Sequence, residues 1–190
     1  MIPVFVDMDG TLIKGSTSSL EIRSYIKTKG LAHFAGIILK NSLYTRLKLK
    51  TWISIQKLSQ LNYKFNEEIV TILRKHQILG NQLILATASP AFSTNRVISQ
   101  SPIIFNEIIS SNAHTNLKGS KKLVEIKKWL KNSESQDFVY IGNSFADLKI
   151  MKSAKESIFV GSAMNYFVGK YLFRIEKIQK ISHFTGETMA

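Results

Sequence analysis

Four short runs of apolar residues predict buried β-strands at Ile2–Val6, Gln82–Ala86, Phe138–Ile141 and Ser157–Val160. Their short lengths and polar flanks are typical of parallel strands that are covered on both faces. Two helix-like segments, Phe92–Ser99 and Lys121–Leu130, lie between the second and third runs. This alternation of strands and helices predicts an α/β fold with a parallel sheet and right-handed crossovers.

The interval between the first and second strands contains no strand-like run. Its apolar positions predict helices over Leu20–Thr28, Leu31–Ser42, Thr45–Ser59 and Asn66–Leu79. Asn66 is a candidate N-cap because Glu67 and Glu68 follow it. We therefore expect residues 16–79 to form a helical cap, inserted after the first strand of a core made of residues 1–15 and 80–190.

The third predicted cap helix interleaves apolar residues with the basic Arg46, Lys48, Lys50 and Lys57. A basic amphipathic helix that meets a membrane surface has this pattern. A core-facing stripe with a solvated basic back has it too, and we favour that interpretation. Near the end of the chain, a mixed aromatic and basic segment predicts a closing helix over Tyr166–Ile178.

Composition and charge narrow the classes of protein and partner. At 190 residues the chain is long enough for one domain with a sizeable insertion, and its lack of cysteine excludes disulfides and thiolate metal sites. We see no secretory signal and no apolar tract approaching the ~20 residues of a bilayer span, which favours a cytoplasmic location with membrane association as an alternative. The net charge of +13 attracts phosphorylated small molecules, acidic lipid and nucleic acid alike. Nucleic acid is disfavoured because no finger or RNA-binding aromatic signature is present.

The first strand runs into Asp7-Met8-Asp9-Gly10-Thr11. Because side chains alternate along a strand, Asp7 and Asp9 are predicted to point the same way, where like charges repel unless a cation lies between them or one is protonated. A turn needs only one of the two acids. The pair therefore predicts a hard-cation site with a carboxylate nucleophile and a second carboxylate that moves protons.

Two further segments offer groups for an anion. Thr87-Ala88-Ser89 follows the second strand, and a hydroxyl beside a small residue provides an O–H and an accessible N–H for a phosphate oxygen. A plain N-cap at Ser89, with Pro90 as the first helical residue, explains the same residues. Downstream, Lys118, Lys121 and Lys122 flank a glycine turn at a predicted helix start, and any of them could neutralise a phosphate.

The loop after the third strand, Gly142-Asn143-Ser144-Phe145-Ala146-Asp147, adds more oxygen atoms. Asn143 and Asp147 are predicted to lie across from the Asp7 and Asp9 pair. Oxygen ligands without sulfur or clustered histidine favour Mg²⁺ over zinc. Asp147 could instead cap the helix that begins at Leu148.

Taken together, these motifs resemble those of the haloacid dehalogenase (HAD) superfamily: Asp-x-Asp-Gly-Thr, a strand ending in Thr, a later Lys, then Gly-Asn-Ser-x-x-Asp. The resemblance spans roughly residues 2–161 and implies a Rossmann-like three-layer core. More narrowly, the chain resembles HAD-like domains that are associated with UbiA-type prenyltransferases. The segments that carry this narrower likeness begin at Asn66, Leu85, Asn116 and Tyr140.

The resemblance implies a role for each matched residue. Asp7 would be the nucleophile that forms an aspartyl-phosphate, and Asp9 would be the acid and base. The phosphoryl group would be bound by Thr87, Ala88, Lys122 and Gly10. Mg²⁺ would be held by Asp7, the backbone carbonyl of Asp9, Asn143 and Asp147.

The resemblance thus implies a Mg²⁺-dependent phosphohydrolase of a phosphorylated small molecule, with an isoprenoid or lipid phosphate as one hypothesis. A phosphotransferase or phosphomutase uses the same intermediate. Asn143 departs from the Asp of many relatives, which removes a charge and predicts weaker Mg²⁺ binding. A weakly active or non-catalytic accessory of a membrane prenyltransferase, or a protein that docks on an acidic membrane surface, therefore stays an alternative.

Overall fold

Six parallel strands form one sheet in the computed structural model of the protein, which describes residues 1–40, 46–58, 61–112, 114–162, 166–172, 174–175 and 178–181. The strands are β1 Val4–Val6, β2 Leu83–Pro90, β3 Glu107–Ser111, β4 Val139–Gly142, β5 Glu156–Val160 and β6 Ile178–Ile181. Their order across the sheet is β3-β2-β1-β4-β5-β6. The predicted α/β fold is confirmed, and β1 lies between β2 and β4, in register with Leu83 and Val139 at Val4.

Seven α-helices lie in the described parts of the chain. They are α1 Thr17–Lys29, α2 Leu31–Lys40, α3 Arg46–Ser54, α4 Glu67–Ile78, α5 Ala91–Ile98, α6 Ser120–Asn132 and α7 Leu148–Ser153. A 3₁₀ turn over Phe145–Asp147 precedes α7, and a π-helical turn covers Val168–Leu172. No helix among these described residues is both long enough and apolar enough to span a bilayer.

The strands alternate their side chains between two cores, which produces three layers. On one face Val4, Val6 and Leu85 join a buried cluster with residues of α4 and α5. On the other face Phe5 and Tyr140 join a buried cluster with residues of α6 and α7. Helices cover both faces of the sheet at β1, and every residue of this strand is buried. This explains why the sequence of β1 is continuously apolar.

The first three helices pack around an aromatic side chain of α1. Tyr25 is 5% exposed and its ring lies 5.2 Å from that of Trp52 on α3, in an edge-to-face arrangement. On α2, His33 and Phe34 complete the surroundings of Tyr25. These contacts unite α1–α3 into one group of helices between β1 and the rest of the core.

Helix α4 lies against the sheet, although the sequence analysis assigned it to the cap. Ile69, Val70 and Leu73 are buried in the same cluster as β1 and β2. Asn66 is the N-cap, as predicted, and accepts a hydrogen bond from the Glu68 N–H at 3.2 Å. The apolar stripe of α4 therefore covers a face of the core, and the cap boundary at residue 79 stays a prediction.

Two strands, and the segment predicted as a closing helix, differ from the predictions. Strands β3 and β6 lie at the two edges of the sheet, and the sequence analysis predicted neither. The predicted closing helix over Tyr166–Ile178 is wrong at its end, because Ile178 begins β6 and pairs with Ser157. Residues 41, 42, 45 and 59, which fall in predicted cap helices, lie outside the described residues.

Candidate active site

The four predicted motifs meet at the carboxyl edge of the sheet. Three of the motifs follow the neighbouring strands β1, β2 and β4. The fourth motif, which contains Lys122, lies at the start of α6. Parallel strands bring such loops to one edge, where ligands bind in open α/β sheets. A cavity of about 210 Å³ there is lined by the predicted residues Asp7, Asp9, Thr87, Ala88, Lys122, Asn143 and Asp147.

A buried lysine joins two of the carboxylates. The Nζ of Lys122 donates to Oδ1 of Asp7 at 2.8 Å and to Oδ1 of Asp147 at 3.4 Å. It also donates to the Tyr140 hydroxyl at 3.1 Å. The sequence left Lys118, Lys121 and Lys122 as alternatives, and the structure brings Lys122, which is 2% exposed, to the two acids.

Burial and the neighbouring charges shift the pKa values of Asp7, Lys122 and Tyr140. Burial raises the pKa of Asp7 from 3.8 to about 6, with Lys122 acting to lower the pKa and Asp147 acting to raise it. Burial alone would lower the pKa of Lys122, but Asp7 and Asp147 outweigh it, so the pKa of the ammonium is raised. Burial, followed by the charges of Asp147 and Asp7, raises the pKa of Tyr140, which keeps its hydroxyl neutral. The site therefore holds a permanent ammonium beside a carboxylate that is costly to ionise.

Asp9 is oriented by a different set of donors. One oxygen, Oδ1, accepts from the Thr17 N–H at 2.8 Å, and Oδ2 accepts from the Ser89 hydroxyl at 2.7 Å. The Thr17 hydroxyl lies 3.3 Å from Oδ2 and 2.9 Å from the Ser89 hydroxyl. Because Thr17 is the first residue of α1, the second acid of the motif is bound to the start of the first helix between β1 and β2. The sequence analysis missed Thr17, which has no motif of its own.

The residues after β2 have distinct roles. The Thr87 hydroxyl accepts from the Ser89 N–H at 3.1 Å, which leaves its own proton to be donated into the cavity. Ser89 donates to Asp9, and it does not cap α5, whose N-cap is Pro90. The alternative of a plain N-cap at Ser89 is therefore wrong, as is Pro90 at the first helical position.

The loop after β4 is fixed by its own polar contacts. Oδ2 of Asp147 accepts from the Ser144 N–H at 3.3 Å and from the Ser144 hydroxyl at 2.9 Å. The bond from the Ser144 N–H, together with a bond from the Asp147 N–H to the Ser144 side chain, forms the capping box of the 3₁₀ turn, and Asp147 makes no side-chain cap for α7. The other oxygen is left to face Lys122 and the cavity.

Gly10 has a structural role that differs from the prediction. It does not line the cavity, and its N–H donates to the Ile13 carbonyl at 2.9 Å, so this N–H is not directed at a phosphate. Its φ is +74°, which favours glycine, and a side-chain carbon there would collide with the Asn143 amide. Gly10 therefore permits the loops after β1 and β4 to lie in contact.

The donor chemistry fits a hard divalent cation. Asp7, Asp9, Asn143 and Asp147 all line the cavity, and they offer only oxygen and amide groups. The repulsion from Asp147 that raises the pKa of Asp7 is of the kind that a cation relieves. The described residues contain no cluster of three or more His, Cys, Asp or Glu side chains at metal-binding spacing, so an amide and a backbone carbonyl would have to complete the set.

A second ion pair, between a buried glutamate and a half-buried arginine, was not predicted from the sequence and connects α1 to α5. The fully buried Glu21 of α1 accepts from Arg96 of α5 at 2.7 Å and from the Ser93 hydroxyl at 2.8 Å. Arg96 also donates to the Gln56 carbonyl, beyond α3, at 2.7 Å. Burial raises the pKa of Glu21, although the hydrogen bonds from Ser93 and Arg96 oppose this change. The two partners are 75 positions apart in sequence, which explains why no local pattern indicated the pair.

Solved structures share this fold. A protein with unknown function from Bordetella pertussis Tohama I superposes with a TM-score of 0.65, covering 93% of this chain and 96% of that one at 12% identity. A HAD-family hydrolase from Salmonella enterica serovar Typhi gives 0.62 over 94% and 68% of the two chains at 10% identity. A probable phosphoserine phosphatase from Vibrio cholerae gives 0.62 over 93% and 60% at 10% identity. The chain therefore has the fold of HAD-family hydrolases and phosphatases.

Sequence comparison adds one more distant relative. No family model matches the chain. It is 27% identical over 169 residues to the protein called Uncharacterized protein y4nM from Sinorhizobium fredii. The match covers 87% of this chain and 31% of that protein, so the chain spans about a third of its relative's length.

Proposed function

We propose that the chain is a Mg²⁺-dependent phosphohydrolase that acts on a phosphorylated small molecule through an aspartyl-phosphate on Asp7. One observation carries the proposal. The two acids of the first motif share a single cavity with Thr87, the buried Lys122 and Asp147, although these residues come from separate parts of the chain. The fold shared with phosphatases supports the same class of reaction.

Asp7 is suited to attack phosphorus. Its Oδ1 is held by Lys122, which fixes the carboxylate and leaves Oδ2 as the attacking atom. In the first step a bond forms between this oxygen and phosphorus while the bond from phosphorus to the leaving oxygen breaks. Lys122, the Thr87 hydroxyl and the Ala88 N–H offset the charge of the phosphoryl oxygens, and such stabilisation supplies most of the catalysis of phosphoryl transfer.

Asp9 is suited to move the proton. In its protonated form it gives a proton to the leaving oxygen, and as a carboxylate it then takes a proton from the water that attacks phosphorus. The bond from phosphorus to the Asp7 oxygen breaks in this second step, which frees the carboxylate and releases phosphate. The Thr17 N–H and the Ser89 hydroxyl orient its carboxylate. Because one of these donors begins α1, the position of the cap sets the orientation of the acid.

Mg²⁺ would be held by Asp7, the Asp9 carbonyl, Asn143 and Asp147, and when bound it would neutralise charge on the carboxylates and the phosphate. Asn143 provides a neutral ligand where Asp would provide a charged one. We therefore expect weaker Mg²⁺ binding than in a variant with Asn143→Asp.

Release of nitrophenol from p-nitrophenyl phosphate tests the proposal. Turnover is expected with magnesium chloride, and it should be lost in EDTA and in Asp7→Asn with the fold unchanged by circular dichroism. Hydrolysis by Asp7→Asn at the wild-type rate would contradict the role of Asp7. Transfer of the phosphoryl group to an added alcohol, without release of phosphate, would instead identify a phosphotransferase.

An isoprenoid or lipid phosphate as substrate, and a prenyltransferase or acidic membrane as partner, remain predictions from the resemblance. The net charge of +13 is compatible with an acidic membrane surface. Sedimentation with vesicles that contain acidic lipid, at low salt, tests the membrane hypothesis. Absence of the protein from the vesicle pellet would contradict it.

A further inference from the structure

The cavity has polar residues that the proposed chemistry does not use. Lys50 of the cap helix α3 and Lys118 of the loop before α6 line it together with Leu47 and Asn116. Lys50 is half-buried and Lys118 is exposed. These residues belong to neither the nucleophile, the acid nor the predicted metal ligands.

The charges of these lysines are additional to the one that the reaction uses. Lys122 is already bound to Asp7 and Asp147 inside the site. Lys50 and Lys118 bring two further positive charges to the same cavity, one from α3 and one from the loop before α6. Because the site is concave, the positive potential of these lysines is concentrated on the part of a bound ligand that lies next to them.

Asn116 gives a second and independent sign of a ligand. Its Oδ1 is buried and has no hydrogen-bond partner in the described structure, although the residue lines the cavity. A buried acceptor without a donor is costly, so a hydroxyl or similar donor from a bound molecule would satisfy it.

The size of the cavity limits the leaving group. Its volume of about 210 Å³ is below the range of roughly 300–1,000 Å³ for pockets that hold drug-sized ligands. Leu47 lies three residues before Lys50, on the same face of α3, and offers one apolar contact. This space accommodates a phosphate with a short carbon skeleton.

From these features we infer that the substrate is a short organic phosphate whose leaving group carries a second anionic group, bound by Lys50 and Lys118. The second anion is a carboxylate or a further phosphate. This inference rests on the proposed function for the reacting phosphate, but the second-anion subsite is a property of binding alone.

The test therefore measures binding and turnover separately. Calorimetry with the Asp7→Asn chain and magnesium chloride compares three probes with a three-carbon skeleton: glycerol 3-phosphate, 3-phosphoglycerate and propane-1,3-diol bisphosphate. The variants Lys50→Met and Lys118→Met remove the proposed subsite. Lys48→Met on α3 and Lys121→Met in the first turn of α6 are the controls, since both lysines are exposed close to the tested ones in sequence and do not line the cavity.

We expect at least one doubly anionic probe to bind about tenfold or more tightly than glycerol 3-phosphate, as charge-assisted hydrogen bonds predict. Lys50→Met and Lys118→Met should each reduce this preference. Both controls should retain it, and so should Lys50→Arg and Lys118→Arg, which keep the positive charge. The better probe identifies the second anion. Equal affinity for all probes, no binding of any probe, or the same loss in the controls would overturn the inference. If the preference is found but wild-type protein releases no phosphate, the subsite stands and the proposed function fails.

Discussion

At the scale of single residues, Asp7 determines how the site responds to pH. Burial raises its pKa to about 6, so the folded protein holds this proton more tightly than the unfolded chain does. A raised carboxyl pKa means that ionisation opposes folding. The free energy of unfolding should therefore fall as the pH rises from 3.8 to about 6.

Asp7→Asn removes this titration. Across that interval, the wild-type protein in EDTA should lose on the order of 3 kcal/mol of stability relative to Asp7→Asn, an upper bound from the size of the shift. Urea unfolding at a series of pH values measures the difference between the two proteins. Parallel pH profiles would show that folding does not raise the pKa of Asp7.

Gly10 offers a second test at this scale, because Gly15 is a matched control. Both have positive φ, +74° and +78°, but a side-chain carbon at Gly10 would collide with Asn143, whereas at Gly15 it would meet nothing within 4 Å. Gly15→Ala should lose only about 1–2 kcal/mol of stability for its backbone conformation. Gly10→Ala should lose more and should also lose phosphate release, because it displaces a predicted metal ligand.

Thermal unfolding and the chromogenic assay measure these two effects. The double variant Gly10→Ala with Asn143→Gly should recover part of the lost stability by removing the collision. Equal stability of the two single variants would mean that the contact between the loops after β1 and β4 is unimportant.

At the scale of elements, the ion pair of Glu21 and Arg96 connects α1 to α5. Arg96→Ala would leave the Glu21 carboxylate buried without its charged partner, which costs about 3–5 kcal/mol in comparable cases. Glu21→Leu combined with Arg96→Met should recover most of this loss, because a well-packed apolar pair is often as stable as a buried ion pair.

Chemical denaturation of the single and double variants gives the coupling free energy. The double variant should keep its stability. It also loses the hydrogen bond from Arg96 to the Gln56 carbonyl, so we expect α1 and α3 to change position relative to α5. Since Asp9 is bound to Thr17 at the start of α1, turnover should fall in the double variant even where stability is restored. Unchanged turnover would show that this pair does not position the cap.

The elements also show what the sequence could predict. The four inner strands of the sheet, β1, β2, β4 and β5, were found because strands covered on both faces need continuous apolar runs. The edge strands were missed because they contain polar residues, as in the Ile-Gln-Lys-Ile of β6, of which Gln179 and Lys180 are exposed. An edge strand is paired on one side only, so its sequence carries a weaker signal.

At the scale of the whole molecule, the site could be predicted where a motif and a strand end coincide. Asp7, Asp9, Thr87 and Asp147 were predicted on that basis, and the topology of the sheet brings them to one cavity with Lys122, which the resemblance selected among three lysines at a helix start. Residues that serve the site from the cap, such as Thr17, Lys50 and Glu21, could not be predicted in the same way. Their contacts depend on how the inserted helices pack, which local patterns do not encode.

Placement of the covalent intermediate tests the central claim, that Asp7 is the residue that accepts the phosphoryl group. The protein is mixed with a substrate that it turns over, quenched in acid, digested and examined by mass spectrometry. We expect one phosphoryl group on the peptide that contains Asp7, and none in Asp7→Asn. Turnover with the phosphoryl group on another residue, or with no covalent phosphoryl under conditions that trap acyl phosphates, would contradict the account.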